Sequence, residues 1–347
     1  MLASVAAQVP EGEGWLYEPK WDGFRAIVFR EGGSARLQSR DTKPLDRYFP
    51  ELLEALARAL PEGCVLDGEI VVAGPNGLDF DALQQRIHPA ASRIERLAHE
   101  TPASFVAFDL IAVDGADISG RPQDERRLLL EALLMDVPPP IHLTPMTTSH
   151  GTAVGWLQSF EGAGLDGVVA KPADSPYRQG QRAMLKIKHV RSADCVVAGF
   201  RWHKSGEDAV GSLLLGLYDD DNVLQHVGST SAFSMETRRA LAKELAPLQP
   251  KTLDGHPWAQ WGDPNGQAAQ RMPGAQSRWS SGKDLSWQPL RIERVCEVKY
   301  DHLQGRRFRH AAIFMRWRFD KPPDACRFDQ LEVVAPYALA EVFAGQR

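Results

Sequence analysis

Three runs of strand-forming apolar residues, each broken by a carboxylate, restrict this 347-residue chain more than any other feature. Residues 64–72 read CVLDGEIVV, with Asp67 and Glu69 set into a near-continuous apolar strand. Residues 104–111 read SFVAFDLI around Asp109, and residues 164–171 read GLDGVVAK around Asp166. Such runs belong to buried strands, where a carboxylate is costly unless it is paired. Asp67 and Glu69 stand two residues apart and share one strand face. A metal, a ribose hydroxyl or a basic partner would satisfy both; a strand-end pair in water is the plainer alternative. The expectation is a set of sheets whose acids gather against cations.

The candidate cations sit in two short stretches. Glu18-Pro19-Lys20-Trp21-Asp22-Gly23-Phe24-Arg25 leads into an alternating strand over residues 25–30. A turn at Glu31-Gly32-Gly33 returns it as residues 35–40, a β-hairpin that carries Arg40 on the partner strand. Met184-Leu185-Lys186-Ile187-Lys188 places two lysines on one strand face. Cations projecting together suit phosphate oxygens, and they disfavour the ammonium form of a third lysine nearby, which makes a nucleophile of it. A solvated hairpin edge and a lysine-protected edge strand are the ordinary readings of these stretches. Phe108, directly before Asp109, could stack on a flat base, although a strand phenylalanine is usually core. Helices are expected over residues 49–60, opened by Pro50, over 80–87, and over 124–135, the last purely structural.

The pattern changes at residues 189–194, where a domain boundary is expected, giving residues 1–190 and 191–347. Short strands follow, with a helix at 234–245, a Pro/Gly/Trp-rich stretch to Pro289, and strands at 294–300 and 311–319. This is the pattern of a small β-barrel, and the oligonucleotide-binding barrel is the obvious candidate. The run Asp219 to Asp221 lacks calcium-loop spacing and reads as a turn. A net charge of −5 excludes bulk coating of nucleic acid, yet residues 291–321 hold nine basic and four acidic side chains, a basic face suited to tracking phosphates. Four scattered cysteines suggest neither zinc nor a disulfide framework. No apolar run is long enough to span a bilayer, and residues 1–9 lack the marks of a signal peptide, so a cytoplasmic protein is expected.

Taken in order, these stretches resemble the covalent nucleotidyltransferases, and within them the ATP-dependent DNA ligases of the small two-domain bacterial LigC type. The resemblance rests on residues 20–25, Ser39-Arg40, Asp67-Gly68-Glu69, Phe108-Asp109, residues 166–171, Lys186-Ile187-Lys188 and Arg318-Phe319-Asp320-Lys321. It implies an α+β fold: a nucleotidyltransferase domain of antiparallel, ATP-grasp-like sheets with helices, then an OB-fold barrel that binds DNA. It implies that Lys20 attacks the α-phosphorus of ATP, that AMP passes to a 5′-phosphate at a nick in double-stranded DNA, and that the 3′-hydroxyl displaces it. Glu18 would meet the adenine amino group and Phe108 stack on the ring. Arg25 and Arg40 would bind phosphate, Glu69 ribose or metal, and Lys186 and Lys188 the α-phosphate. Glu69 and Asp166 would hold Mg²⁺ or Mn²⁺. Arg318 and Lys321 would orient pyrophosphate after a hinged closure about residues 189–194. A monomer acting in DNA repair, with other repair proteins as candidate partners, completes the expectation. An RNA ligase or capping-type enzyme shares the lysine chemistry, and a non-catalytic nick-binding module is the alternative from another class.

Overall fold

The computed structural model describes residues 1–75, 77–189, 191–259, 286–301, 303–331 and 337–344. Most of the Pro/Gly/Trp-rich stretch, residues 260–285, therefore lies outside the described residues, as does Val190 at the expected hinge. The chain divides into two compact units, Met1–His189 with Val334–Arg347, and Val190–Val333. Residues 337–344, which the sequence pattern placed with the barrel, are thus grouped with the first unit.

Two sheets build the first unit. The larger is mainly antiparallel and runs in the order Ser34–Ser39, Phe24–Glu31, Val65–Gly74, Ala103–Val113, Ala116–Asp117. The expected hairpin is its edge, with Ala26 opposite Ser39 and Glu31 opposite Ser34. The two acid-bearing strands are central, and Leu66, Ile70, Phe105 and Leu110 are fully buried on them. The helix Pro50–Ala59 begins with proline at its first position, where no amide hydrogen is needed, and buries Leu52 and Leu56 in the core of this sheet. The second sheet orders Leu2–Ala6, Arg182–Ile187, Val168–Pro172, Trp15–Pro19. Its outer pair, Leu2–Ala6 with Arg182–Ile187, is parallel, and the other pairings are antiparallel. The helix His150–Ser159 is capped by the Ser149 hydroxyl, which accepts from the Thr152 amide. It contributes Ala153 and Trp156 to the second core.

Two glycines mark close backbone approaches, one in each sheet. A Cβ on Gly23, beside Phe24–Glu31, would lie 2.1 Å from the Ile70 carbonyl oxygen, and one on Gly167, at φ +131° beside Val168–Pro172, would lie 2.0 Å from that of Ile187. Both distances are far inside contact with backbone, so only glycine lets the strands approach here. Gly167 and Asp166 also carry the backbone groups that Lys20 bonds to.

In the second unit a six-stranded antiparallel sheet runs Leu224–Thr230, Gly206–Tyr218, Arg191–His203, Val295–Tyr300, Ile313–Trp317, with Gln288–Pro289 also on Arg191–His203. The two outermost strands then meet. Thr230 bridges Ala312, and the Ala312 amide donates to the Ser229 carbonyl at 2.8 Å. A sheet whose ends pair has become a barrel, which removes its open edges. Phe200, Leu213, Leu215, Trp258 and Val298 fill it. The helix Met235–Leu245, capped by Ser234, packs Leu241 and Leu245 into the same core. The fold is the expected α+β pair of a nucleotidyltransferase unit and an oligonucleotide-binding barrel.

Candidate active site

Lys20 follows directly on the strand Trp15–Pro19, and its backbone is tied on both sides. Its amide donates to the Gly167 carbonyl at 2.8 Å, and its own carbonyl accepts from the Asp166 amide at 2.9 Å. The side chain completes the pairing: Lys20 Nζ lies 2.5 Å from Asp166 Oδ2, and Lys188 Nζ lies 2.7 Å from the same oxygen. Burial would raise the Asp166 carboxyl, but the two ammonium groups outweigh it and hold the carboxyl below its ordinary value. Lys186 is lowered by burial and by the nearby charges of Lys188 and Lys20. The three lysines therefore converge as expected. What the sequence pattern did not reveal is that a carboxylate sits among them and neutralises part of their charge.

A second polar cluster is built on the neighbouring strands. Glu18 is buried, with Oε2 2.8 Å from Lys171 Nζ and Oε1 3.7 Å from Arg127 Nη1. Burial nonetheless raises its carboxyl, against the pull of Lys171 and Arg127. Glu18 Oε1 has no hydrogen-bond partner among the described residues. Lys171 Nζ also donates to the Phe108 carbonyl at 2.7 Å and stands 5.1 Å from the Phe108 ring centroid, with the Arg25 guanidinium at 5.6 Å.

Arg25 departs from its expected place. Its guanidinium is engaged by both carboxylate oxygens of fully buried Asp67 and by the Met1 carbonyl, and the Tyr177 hydroxyl donates to the same Asp67 at 2.7 Å. Asp67 thus finds its partner within the protein, which answers why a buried strand carries it. Asp109 is likewise paired, bidentately, with buried Arg126 at 2.8 and 3.1 Å. The helix Gln123–Leu134 supplies both Arg126 and Arg127, so it is more than structural support. Tyr177, Arg126 and Arg127 escaped the sequence reading because nothing in their local pattern distinguishes them.

Arg40 is also displaced from expectation. It lies just beyond its strand, exposed, 3.7 Å from Asp41, and no contact joins it to Lys20. Arg318 and Lys321, in the second unit, converge on Asp194: Arg318 Nη1 is 2.9 Å from both carboxylate oxygens and Lys321 Nζ is 3.0 Å from one. Arg318 also pairs with Asp320 at 2.9 Å. The resemblance implied that both orient pyrophosphate; in this structure both are paired with Asp194.

A chain that sets Lys20 and Lys188 on one carboxylate has relatives among known proteins. A family profile described as the ATP dependent DNA ligase domain matches residues 1–188, and one for the C-terminal region of the same enzymes matches residues 206–321. The chain belongs to the ATP-dependent DNA ligases. The ligase is 56% identical over 337 residues to DNA ligase C2 of Mycolicibacterium smegmatis, covering 96% of this chain and 93% of that protein. It is 52% identical over 353 residues to DNA ligase C of Mycobacterium tuberculosis, covering 100% and 97%. Among solved structures, that of a Lig E DNA ligase is 19% identical, covers 92% of this chain and 99% of that one, and has a TM-score of 0.57, which shows a shared fold.

The ligase uses ATP, and a divalent ion is typical of the family. Whether the residues fit such an ion can be judged from their chemistry. Glu69 and Asp166 offer hard oxygen ligands, Asp166 in contact with Lys20 and Glu69 near enough to feel its charge, and no cluster of three or more acidic, histidine or cysteine side chains suited to a metal exists among the described residues. Mg²⁺ commonly takes one or two carboxylates and completes its shell with water and substrate phosphates. The pair therefore fits an ion shared with ATP. The ion would be held by Glu69 and Asp166 and would neutralise phosphate charge there.

Burial pushes the Glu69 carboxyl up to about 7, against the attraction of Lys20 and Arg25. A raised carboxyl favours the folded state below the unfolded pKa of about 4.5, and that advantage is lost as pH rises through 7. Glu69→Gln removes the ionisation. In metal-free ligase it is expected to raise stability at pH 8 by on the order of 3 kcal/mol relative to its effect at pH 4. Thermal melts in a chelator at the two pH values check this, and equal shifts at both would contradict it. No helix among the described residues is long and apolar enough to cross a membrane.

Proposed function

We propose that Lys20 is the residue that accepts AMP from ATP, and that the ligase passes this AMP to the 5′-phosphate of nicked double-stranded DNA before sealing it. The observation that carries the reading is the convergence of Lys20 and Lys188 on Asp166, with Lys186 near enough to feel both charges. In the first step Nζ forms a bond to the α-phosphorus, the bond to the pyrophosphate oxygen breaks, and the Nζ proton is lost. Lys20 Nζ donates to Asp166 Oδ2 in this structure, so this carboxylate is the acceptor within reach for the proton that Nζ gives up to present a lone pair to phosphorus. Lys188 shares the carboxylate and can exchange it for an α-phosphate oxygen, which neutralises developing charge. Lys186 assists from the strand just before it.

Glu18 Oε1, a buried acceptor with no hydrogen-bond partner among the described residues, suits the exocyclic amine of adenine. Phe108 is the ring for the base to stack on, and Arg25, fixed by Asp67 and Tyr177, borders it. Glu69 contacts ribose or the divalent ion. Arg318 and Lys321 assist the departing pyrophosphate once released from Asp194, and Arg40, exposed beside Asp41, meets the 5′-phosphate of the nick. The basic residues of the second unit support duplex binding, and we place the enzyme's work in DNA repair as a monomer.

The test is incubation with α-labelled ATP or GTP and Mg²⁺ or Mn²⁺, followed by mapping of the label. An acid-labile AMP adduct on Lys20, with ATP strongly preferred, is expected. Preference for GTP would favour a capping-type reaction, and the absence of any adduct in protein shown to carry none already would refute the catalytic reading.

A further inference from the structure

We infer that the short helix Leu339–Ala344 is a positioning element for the nucleophile, acting through Phe343 on Trp21. The inference rests on the reading of Lys20 as the AMP acceptor. Trp21 follows Lys20 directly and is only 5% exposed. Its indole N–H donates to Thr144 Oγ1 at 2.8 Å, and its ring stacks on Phe343 with centroids 5.1 Å apart and planes at 20°. Phe343 in turn stacks on His142 at 4.4 Å and 23°. The helix is seated by more than this ring: Val342 is fully buried, and Tyr337, just before the helix, meets Phe160 at 5.2 Å. Leu339, Val342 and Phe343 recur at the spacing of one helix face and join the core that contains Tyr17, Val168 and Ile187. These residues belong to the strands that flank Lys20 and Lys188.

The physical argument concerns which freedom each contact removes. Hydrogen bonds to Gly167 and Asp166 fix the Lys20 amide and carbonyl, while the stacked indole fixes the side chain of the residue that follows. Without the ring on Trp21, the chain can pivot at Lys20 while keeping its strand hydrogen bonds. In-line attack on phosphorus is intolerant of such a pivot, because a misplacement of about 1 Å is enough to lower a rate by about 10²-fold. The segment that supplies the ring lies after the barrel in sequence yet packs in the first unit. The nucleophile's setting is therefore completed by residues from the far end of the described chain.

The test uses the full chain with Phe343→Leu, which keeps an apolar side chain and loses the flat ring, Phe343→Tyr, which restores the ring, and Val342→Ala, which loosens the same helix without removing the ring. Single-turnover formation of the Lys20 adduct is measured across ATP concentrations, alongside sealing of a pre-adenylated nick and the melting temperature. Phe343→Leu is expected to lower the maximal adenylylation rate about tenfold, with half-saturation by ATP and pre-adenylated sealing within about twofold of the parent. Phe343→Tyr is expected to recover the rate, and Val342→Ala to lower the melting temperature while keeping the rate within about twofold. An unchanged rate in Phe343→Leu overturns the inference. So does a loss that follows melting temperature alike in Phe343→Leu and Val342→Ala, which would make the helix a structural support only. Should Phe343→Leu not fold, Val342→Ala and Phe343→Tyr proteins both slowed well beyond twofold, in step with their melting temperatures, overturn it as well. Label that maps to a residue other than Lys20 in the parent would overturn the catalytic reading together with this one, whereas label on Lys20 with an unchanged Phe343→Leu rate overturns this one alone.

Discussion

Replacing Lys20 with alanine is expected to abolish transfer of label from ATP to the protein, by a factor on the order of 10⁴ or more, while leaving the melting temperature within about 2 °C of the parent. The size of the effect follows from covalent catalysis, since removing the atom that forms the bond leaves binding without chemistry. The preserved fold follows from the geometry. Asp166 keeps Lys188 at 2.7 Å when Lys20 is gone, and the Lys20 backbone bonds to Gly167 and Asp166 do not involve its side chain. No buried charge is left alone, which is the circumstance that makes such deletions strongly destabilising. Gel detection of labelled protein, together with calorimetry, measures both halves. Pre-adenylated nicked DNA should still be sealed, because that step starts after the lysine has done its work. A variant that forms the adduct, with no adenylate carried over from expression, would remove Lys20 from its proposed role.

The second large effect is expected from Arg318→Ala combined with Lys321→Ala. Reaction with ATP should fall by about 10²–10³-fold, the cost of removing preorganised charge from a phosphoryl-transfer site. Sealing of a pre-adenylated nick should change by less than about threefold, since no pyrophosphate departs in that step. Parallel rate measurements of the two reactions decide it, and equal losses would reassign both side chains to binding nucleic acid or to holding the barrel together. The barrel role is a real competitor, because both cations are bonded to Asp194, which lies at the start of the strand Arg191–His203. Paired substitution of the two cations leaves Asp194 partly exposed to water, so the carboxylate can be resolvated. This experiment is sharper than cutting the chain after His189, which would also remove the helix Leu339–Ala344 from the first unit.

Much of the molecule was legible in the sequence because its signals are local. The hairpin of Phe24–Glu31 with Ser34–Ser39 follows from period-two alternation around a Gly-Gly turn. The buried strands Val65–Gly74 and Ala103–Val113 follow from apolar runs, whereas the strand that carries Lys186 ends at Ile187, one residue short of Lys188. The gathering of acids against cations could also be expected, because buried carboxylates must find partners.

Which acid meets which cation was decided only in three dimensions. Register places Arg25 opposite Glu69 and Ile27 opposite Asp67, yet the guanidinium reaches diagonally to Asp67, where Tyr177 arrives from 110 residues away to complete the site. Asp166 settles between Lys20 and Lys188, next to Gly167, whose close approach to the Ile187 carbonyl no side chain would allow. Arg40 falls one residue past its strand and turns to solvent, a displacement too small for periodicity to foresee. By itself the sequence determined the strands, the chemistry-bearing side chains and their order. Tertiary structure determined the ion pairs, the closure of the barrel through Thr230 and Ala312, and the return of Phe343 to Trp21, since each depends on contacts between residues whose separation along the chain carries no local pattern.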